Sequence, residues 1–364
     1  MEAGTKPPQA QLRVRAMEPT AEEMEVFRRA FEENGSQKDP AVLRWQYLEN
    51  PAGPVMVHVY VEDVDGGERV AAMHPWMPVR FRVDGRVRPA SQTVDILTDE
   101  RYRGQGLFVR LAREAYARSG PLPLDFTYGF PNDKLYHSYY TKLGWASLDP
   151  LPYLVRPIRT GYFLSRAPKV GGVLGKVNLP LPLPGKPRLA AGEALEPVTS
   201  FGAEFDALWE AFASAGNVGV AVHRDAAYLN WRMARPGEGY RTVALRRGGR
   251  LEGFVTFCVR GKHGGRIGYV MEVLHRPENP AAGKALLAHA VREMAADGAD
   301  AILAWSLDHA PNRAAYRSTG FLPLPEKLRP IRIYFGVKPL DEADRPLLAD
   351  RSRWYVSYLD SDTV

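Results

Sequence analysis

A chain of 364 residues, nearly half of them apolar and a quarter charged, has the composition of a globular protein and the length for two domains. Its single cysteine, Cys258, excludes an intramolecular disulfide, and no apolar run reaches the length of a signal peptide or a membrane span; a cytoplasmic protein without a membrane anchor is expected. The net charge of +6 favours anionic ligands, but basic residues are interleaved with nearly as many acidic ones and build no basic helix, so nucleic acid is not an expected partner.

Residues 1–10 are polar and read as a disordered lead. Residues 11–17 read as a first strand. Thr20 is placed to cap a helix over 21–33, with Glu22 and Glu23 in its first turn. Asp39 caps a second helix over 40–50, with Pro40 at its first position. Two long strands follow, 54–63 and 69–85, separated by a Gly-Gly turn.

The stretch from Thr93 to Leu111 reads as a strand, a glycine turn and a helix start. Val94, Ile96 and Leu97 are strand residues, and Thr98 ends the strand. Gly104 and Gly106 remove Cβ atoms where a bulky group must approach the backbone. Leu107, Phe108, Leu111 and Ala115 then recur at helical spacing. The unpaired amides and dipole of a helix start favour a phosphate or pyrophosphate there, with Arg101 and Arg103 adding positive charge. Two glycines alone fit a plain strand-to-helix turn equally well.

Arg103-Gly104-Gln105-Gly106 resembles the acetyl-CoA loop of the GNAT superfamily of N-acetyltransferases, although Phe108 stands where a small residue is usual. Downstream, Asn132 to Trp145 resembles that family's next motif: an Asn, a helix carrying a Tyr, then Gly-aromatic. Tyr140 lies four residues before Gly144, as the family's tyrosine does, while Asn132 is about one residue farther away than usual. The resemblance covers roughly residues 91–146. It implies an α/β fold with a twisted mixed sheet flanked by helices, and acetyl-CoA as co-substrate. It also implies coenzyme contacts from Ile96, Leu97, Thr98, Arg103, Gly104, Gln105, Gly106, Leu107, Phe108 and Asn132. The Leu97 amide would face the thioester carbonyl, and Tyr140 would be the general acid.

Residues 166–190 are dense in Pro, Gly and Lys and read as a connector. The second half then echoes the first. Asp225, Leu229 and Trp231 repeat the spacing of Asp39, Leu43 and Trp45, and Tyr316 again precedes a glycine, Gly320, by four residues. Two tandem GNAT-like domains are therefore expected: 11–165 with the coenzyme loop, and 191–340 as a degenerate copy. Residues 341–364 would add a terminal strand, with Trp354, Val356 and Tyr358 on one face; its acidic end, Asp360 and Asp362, is within reach of the central cleft but reads first as solvated. Around Gly283 prolines replace the paired glycines, and proline has no N–H to offer a phosphate, so only the first copy is expected to bind coenzyme.

Acyl transfer to an amine needs proton removal, oxyanion stabilisation and a proton for the leaving thiolate. Asp95, a mid-strand carboxylate, is the base candidate, with Asp125 second. Each also fits a paired structural charge. His74 and His137 read as surface or hydrogen-bonded histidines, Cys258 as a buried inert thiol, and no cluster has metal-ligand spacing. Trp45, Tyr47, Trp76 and Tyr128 read as core that also suits a pocket wall. The expected function is N-acetylation of a small amine or amino sugar. Other acyl or aminoacyl transfer, or acyl-CoA binding without catalysis, stays open, as does oligomeric state.

Overall fold

The computed structural model describes residues 11–118, 124–166, 172, 177–216, 218–329 and 331–362. The first half contains β1 (Leu12–Met17), α1 (Ala21–Glu33), α2 (Pro40–Tyr47), β2 (Met56–Val64), β3 (Gly67–Val83), β4 (Arg86–Thr93) and β5 (Leu97–Thr98). It continues through α3 (Leu107–Arg118), β6 (Phe126–Gly129), α4 (Asp133–His137), β7 (Ala146–Ser147), β8 (Tyr153–Pro157) and α5 (Thr160–Leu164). The expected caps form. Thr20 accepts from the Glu23 amide at 3.3 Å, and Asp39 from the Ala41 amide at 2.8 Å. The second helix stops at Tyr47, three residues short of the expected end at Asn50.

The second half holds β9 (Glu193–Pro197), α6 (Ala203–Ala215), β10 (Val220–Val222), α7 (Ala226–Met233), β11 (Arg241–Arg247), β12 (Arg250–Lys262) and β13 (Gly265–His275). Then come α8 (Pro280–Ala296), β14 (Ala301–Trp305), α9 (Arg313–Ser318), β15 (Leu322–Pro323), β16 (Gly336–Pro339) and α10 (Arg345–Leu348).

The two sheets are mixed, as expected, but the halves exchange strands. The first sheet runs β1-β2-β3-β4-β6-β16-β7, and the second β15-β8-β14-β13-β12-β11-β9. The last strand of each half thus crosses into the other half's sheet and sits between two of its strands. β8 falls inside the expected first domain and β16 inside the expected second, so neither expected segment completes its own sheet. β10 also pairs with β3 across the join, Val220 opposite Val83.

The repeat is visible at the contact between α2 and α7. Trp45 and Trp231 stack at 4.5 Å with an 11° interplanar angle. Each indole N–H donates to the other's backbone carbonyl, at 2.7 and 3.0 Å. Both rings belong to one apolar core that spans the halves. Described residues 177–190 of the connector are irregular, with one bridge between Arg159 and Pro180. The C-terminal segment is not a strand: it makes short 3-10 turns and a single bridge, Trp354 to Val220.

Candidate active site at a strand gap

β4 and β6 run parallel and pair at Ala90–Phe126, Ser91–Thr127 and Gln92–Tyr128, where the ladder ends. The chain then bulges at Val94–Ile96, with Asp95 at φ 46°, and resumes as β5 against β3 alone. Meanwhile β6 continues on its other edge, Gly129 opposite Gly336 of β16. Past Gln92 the two strands therefore diverge, leaving a gap bordered by Ile96, Leu97 and Thr98. Gly129 is needed at the apex, because a Cβ there would lie 2.5 Å from Thr93 Oγ1.

On one side of the gap lies the glycine turn. Asp99 caps the short turn Glu100–Tyr102 and binds the amide and guanidinium of Arg101, with Asn34 donating to it at 3.1 Å. Burial alone would raise the Asp99 pKa, but these hydrogen bonds outweigh it and hold it at about 2. Arg101 is thus locked to Asp99 and Glu33 rather than added to the turn's charge as expected. Gly104 and Gly106 take φ 80° and 71°, which explains both glycines. Arg110 N donates to Gly106 O at 3.2 Å, so the amides of Leu107, Phe108 and Val109 precede the α3 ladder. Arg103, Gln105, Arg110 and Arg113 are exposed around this helix start. These backbone donors and arginines fit a diphosphate. Leu107, Leu111, Ala112 and Ala115 hold α3 to the sheet, while Phe108 meets Tyr139 at 5.4 Å.

The tyrosine helix departs from the expectation. Residues 138–142 form a π turn, closed by Leu143 N to Ser138 O at 3.0 Å. A π turn carries one residue more than an α turn, and it absorbs the extra residue noted between Asn132 and Gly144. The two tyrosines consequently face different strands. The Tyr140 hydroxyl is buried over Gly336 of β16, on the far side of β6 from the gap, without a hydrogen-bond partner among the described residues. The Tyr139 ring is buried, edge-on to Trp145 at 4.2 Å and tilted against Phe108 at 5.4 Å; burial, then the nearby Tyr116, raises its pKa, with the Thr93 side chain at the apex of the gap acting to lower it. Burial raises the pKa of both phenols, keeping them protonated. Asn132 caps α4, accepting from Lys134 N at 3.1 Å, and is exposed at the head of that helix.

At the bulge before β5 lies a small cavity of about 100 Å³ lined by Lys38, Gln46, Asp95, Arg235 and Asp362. Asp95 pairs with Lys38 and accepts from Tyr47 Oη at 3.0 Å. Asp362 accepts from Gln92 Nε2 at 3.1 Å, at the last rung of the β4–β6 ladder. Burial, then the nearby Asp95 charge, raises the Asp362 pKa. The tail end expected in solvent is therefore inside the molecule: Asp360 is 3% exposed, and Asp362 faces the cavity. Sequence reasoning noted these acids but lacked the buried cations that receive them.

The remaining candidates separate cleanly. Asp125 binds Arg88 Nε at 2.5 Å at the other end of β6 and is a structural ion pair. His74 is fully buried with neither ring nitrogen bonded among the described residues, packed edge-on against Trp76, Phe108 and Tyr116, contrary to expectation. His137 is exposed and contacts Thr141 Oγ1 at 3.2 Å. Cys258 is buried and its thiol pKa is pushed up to about 12, as an inert thiol requires. Trp45, Trp76 and Tyr128 are core, and Tyr47 alone of the four touches Asp95. A larger cleft of about 620 Å³ lies beside α1, but the arginines that line it are already paired: Arg101 with Glu33, Arg69 with Glu62, Arg29 with Glu25.

Residues 14–148 match the family model described as an acetyltransferase (GNAT) domain. No curated protein sequence matches the chain. Among solved structures, the chain is similar to a probable N-acyltransferase of unknown function from Enterococcus faecalis V583, at 13% identity over 91% of this chain and 73% of that one, TM-score 0.57. It is similar to a GCN5-related N-acetyltransferase from Anabaena variabilis, at 14% identity over 90% and 73%, TM-score 0.59. It is also similar to Saccharomyces cerevisiae N-myristoyltransferase with bound myristoyl-CoA, at 14% identity over 92% and 84%, TM-score 0.57. At these identities the likeness is one of fold, and it extends over both halves.

Proposed function

We propose that this chain, a GNAT-superfamily acyltransferase by the match of its residues 14–148, transfers an acetyl group from acetyl-CoA to the amine of a small molecule or amino sugar. One observation carries this reading: the strand β5 that borders the gap has a diphosphate-type glycine turn after its last residue and a carboxylate-lined cavity at the bulge before its first. Two substrates entering from those two ends would meet in line, which supplies much of the rate. The apex is closed by buried Thr93, Tyr139 and Trp145, which favours a short acyl chain.

The coenzyme supplies an activated thioester. The chain's own groups do the rest. The amides of Gly104 to Phe108 hold the diphosphate, with Arg103 beside them. The unladdered edge of Ile96–Thr98 aligns the arm, and an outward amide of that edge, that of Ile96 or Thr98 rather than that of Leu97, which pairs with Met73 of β3, donates to the carbonyl oxygen as it gains charge. Asp95 or Asp362 accepts a proton from the acceptor, either as its ammonium is converted to the free amine or as that amine attacks. Tyr139, in the place expected for Tyr140, donates its proton to the departing thiolate and recovers one from the cavity side. Asn132 remains a coenzyme contact at the head of α4. The buried thiol of Cys258 suits a cytoplasmic location, and none of the described helices is long and apolar enough to cross a membrane.

The test is a thiol-release screen of amines, amino sugars and peptides with acetyl-CoA, comparing the wild type with Gly106→Glu. Acceptor-dependent release that Gly106→Glu abolishes is expected. Release unaffected by Gly106→Glu, or none with any acceptor, contradicts the reading.

A further inference from the structure

The second half has a strand gap of its own. β13 and β14 pair in parallel at Ile267–Ala301, Gly268–Ile302 and Tyr269–Leu303, then diverge, β13 running on with β12 and β14 with β8. Where the first gap faces a glycine turn, this one has α8 packed against it: a Cβ on Gly283 would meet the His275 ring at 2.5 Å. The chain's own C-terminal segment packs over the gap. Tyr358 stacks on Trp305 at 4.2 Å and meets Tyr269 edge-on at 5.4 Å, the residues at the gap's two lips. Tyr355 Oη donates to Glu272 Oε1 at 2.5 Å and accepts from Asn312 Nδ2 at 2.9 Å. Asn312 heads α9 as Asn132 heads α4, so a repeat position assigned to coenzyme in one half binds protein in the other.

The segment is clamped by one wholly buried arginine. Arg224 and Glu272 are 0% exposed. Arg224 donates to Glu272 at 2.6 Å, to Ser357 Oγ at 3.2 Å, and to both oxygens of Asp360 at 2.9 and 2.8 Å. Tyr228 Oη and Arg232 Nε, from α7, hold the Leu359 carbonyl at 3.0 and 2.9 Å. From the first half, Tyr128 Oη donates to the Asp360 carbonyl at 3.1 Å. Two residues later Asp362 faces the acceptor-side cavity. A cation between two buried carboxylates costs desolvation that apolar packing would avoid, so its use here is to fix geometry.

We infer that the degenerate gap of the second half is a socket for the C-terminal segment, and that Arg224 is the positioning residue which, through Asp360, sets the Asp362 carboxylate beside Asp95. The inference rests on the acetyl-transfer reading for its consequence in catalysis. The second half then contributes to the reaction without binding a substrate itself.

The test compares wild type, Arg224→Gln, Arg224→Lys and Asp362→Asn by amide hydrogen exchange over 354–361, acetyl-CoA affinity by calorimetry, and separate kcat and KM for the acceptor. Arg224→Gln is expected to raise exchange in the segment, leave coenzyme affinity within about twofold, and lower kcat at least about tenfold, as a misplaced reacting group does. Arg224→Lys should recover part of the loss. Asp362→Asn should lose turnover with the segment still protected. Should Arg224→Gln fail to fold, Tyr358→Ala, which leaves the charges intact, loosens the same segment. A loosened segment with unchanged kcat, or Asp362→Asn at wild-type turnover, overturns the inference. A wild type that binds coenzyme but acetylates nothing overturns instead the reading on which it rests.

Discussion

Whether Tyr139 or Tyr140 reaches the gap depends on the single residue inserted in their helix. Counting back from Gly144 selects Tyr140; counting forward from Asn132 selects Tyr139. The π turn at 138–142 resolves the conflict, because it rotates the residues before it relative to those after it. Tyr139→Phe is expected to lower kcat by about 10²-fold or more, with acceptor KM little changed, as loss of a general acid does. Tyr140→Phe, whose hydroxyl has no partner among the described residues, should stay within about threefold. Steady-state kinetics on both variants decides, and equal losses would contradict the assignment. The excess residue was visible in the sequence, but the π turn that absorbs it was not.

His74 makes a second prediction at this scale. Burial, then the neighbouring His58 across the β2–β3 ladder, lowers its pKa from 6.5 to about 3. The folded state therefore binds fewer protons than the unfolded one. That contribution is intact above about pH 6.5 and is lost as pH falls toward 3, by up to about 1.4 kcal/mol per pH unit. His74→Phe should flatten the acid side of the stability curve. Urea midpoints measured near pH 7 and near pH 4.5 should converge in the variant; an unchanged difference would contradict this. A histidine between apolar residues on an alternating strand gives no sign of whether its face is aromatic core or solvent. That is why its burial was not legible.

At the scale of elements, local signals were read well. Thr20 and Asp39 cap their helices through side-chain oxygens a few residues from the donors they satisfy, and such contacts leave a sequence mark. The gap was legible through Gly104 and Gly106 because both need positive φ. The C-terminal segment was misread. Alternation of Trp354, Val356 and Tyr358 suggests a strand with one wet face, yet 354–361 is buried on all sides. Its polar residues, Ser357 and Asp360, are satisfied by Arg224, 133 and 136 positions away, and nothing local announces that. The contact between α2 and α7 is open to a double-mutant cycle. Trp45→Phe and Trp231→Phe each remove an indole hydrogen bond and should cost about 1–2 kcal/mol. Their coupling should be about 1 kcal/mol, since each residue touches the other twice. Denaturant unfolding of the four species measures it, and simple additivity would rule the reciprocal contact out.

For the whole molecule, duplication was legible from repeated spacings, but the exchange of last strands was not. β16 pairs with β6 across some two hundred positions, Val337 opposite Tyr128, and a strand's sequence does not record which sheet receives it. The exchange matters for function. β16 braces the outer edge of β6, whose inner edge is the wall of the coenzyme gap, and the tail crosses from the second gap to the first. On the proposed reading the two halves are one catalytic unit, with a single open gap among the described residues. A crystal structure with acetyl-CoA bound tests this most directly. One coenzyme per chain is expected, its diphosphate on the amides of Gly104 to Phe108, its arm between β5 and β6 and its sulfur beside the Tyr139 hydroxyl. Coenzyme lodged between β13 and β14 with Tyr358 displaced, or density that avoids the first gap, would contradict it.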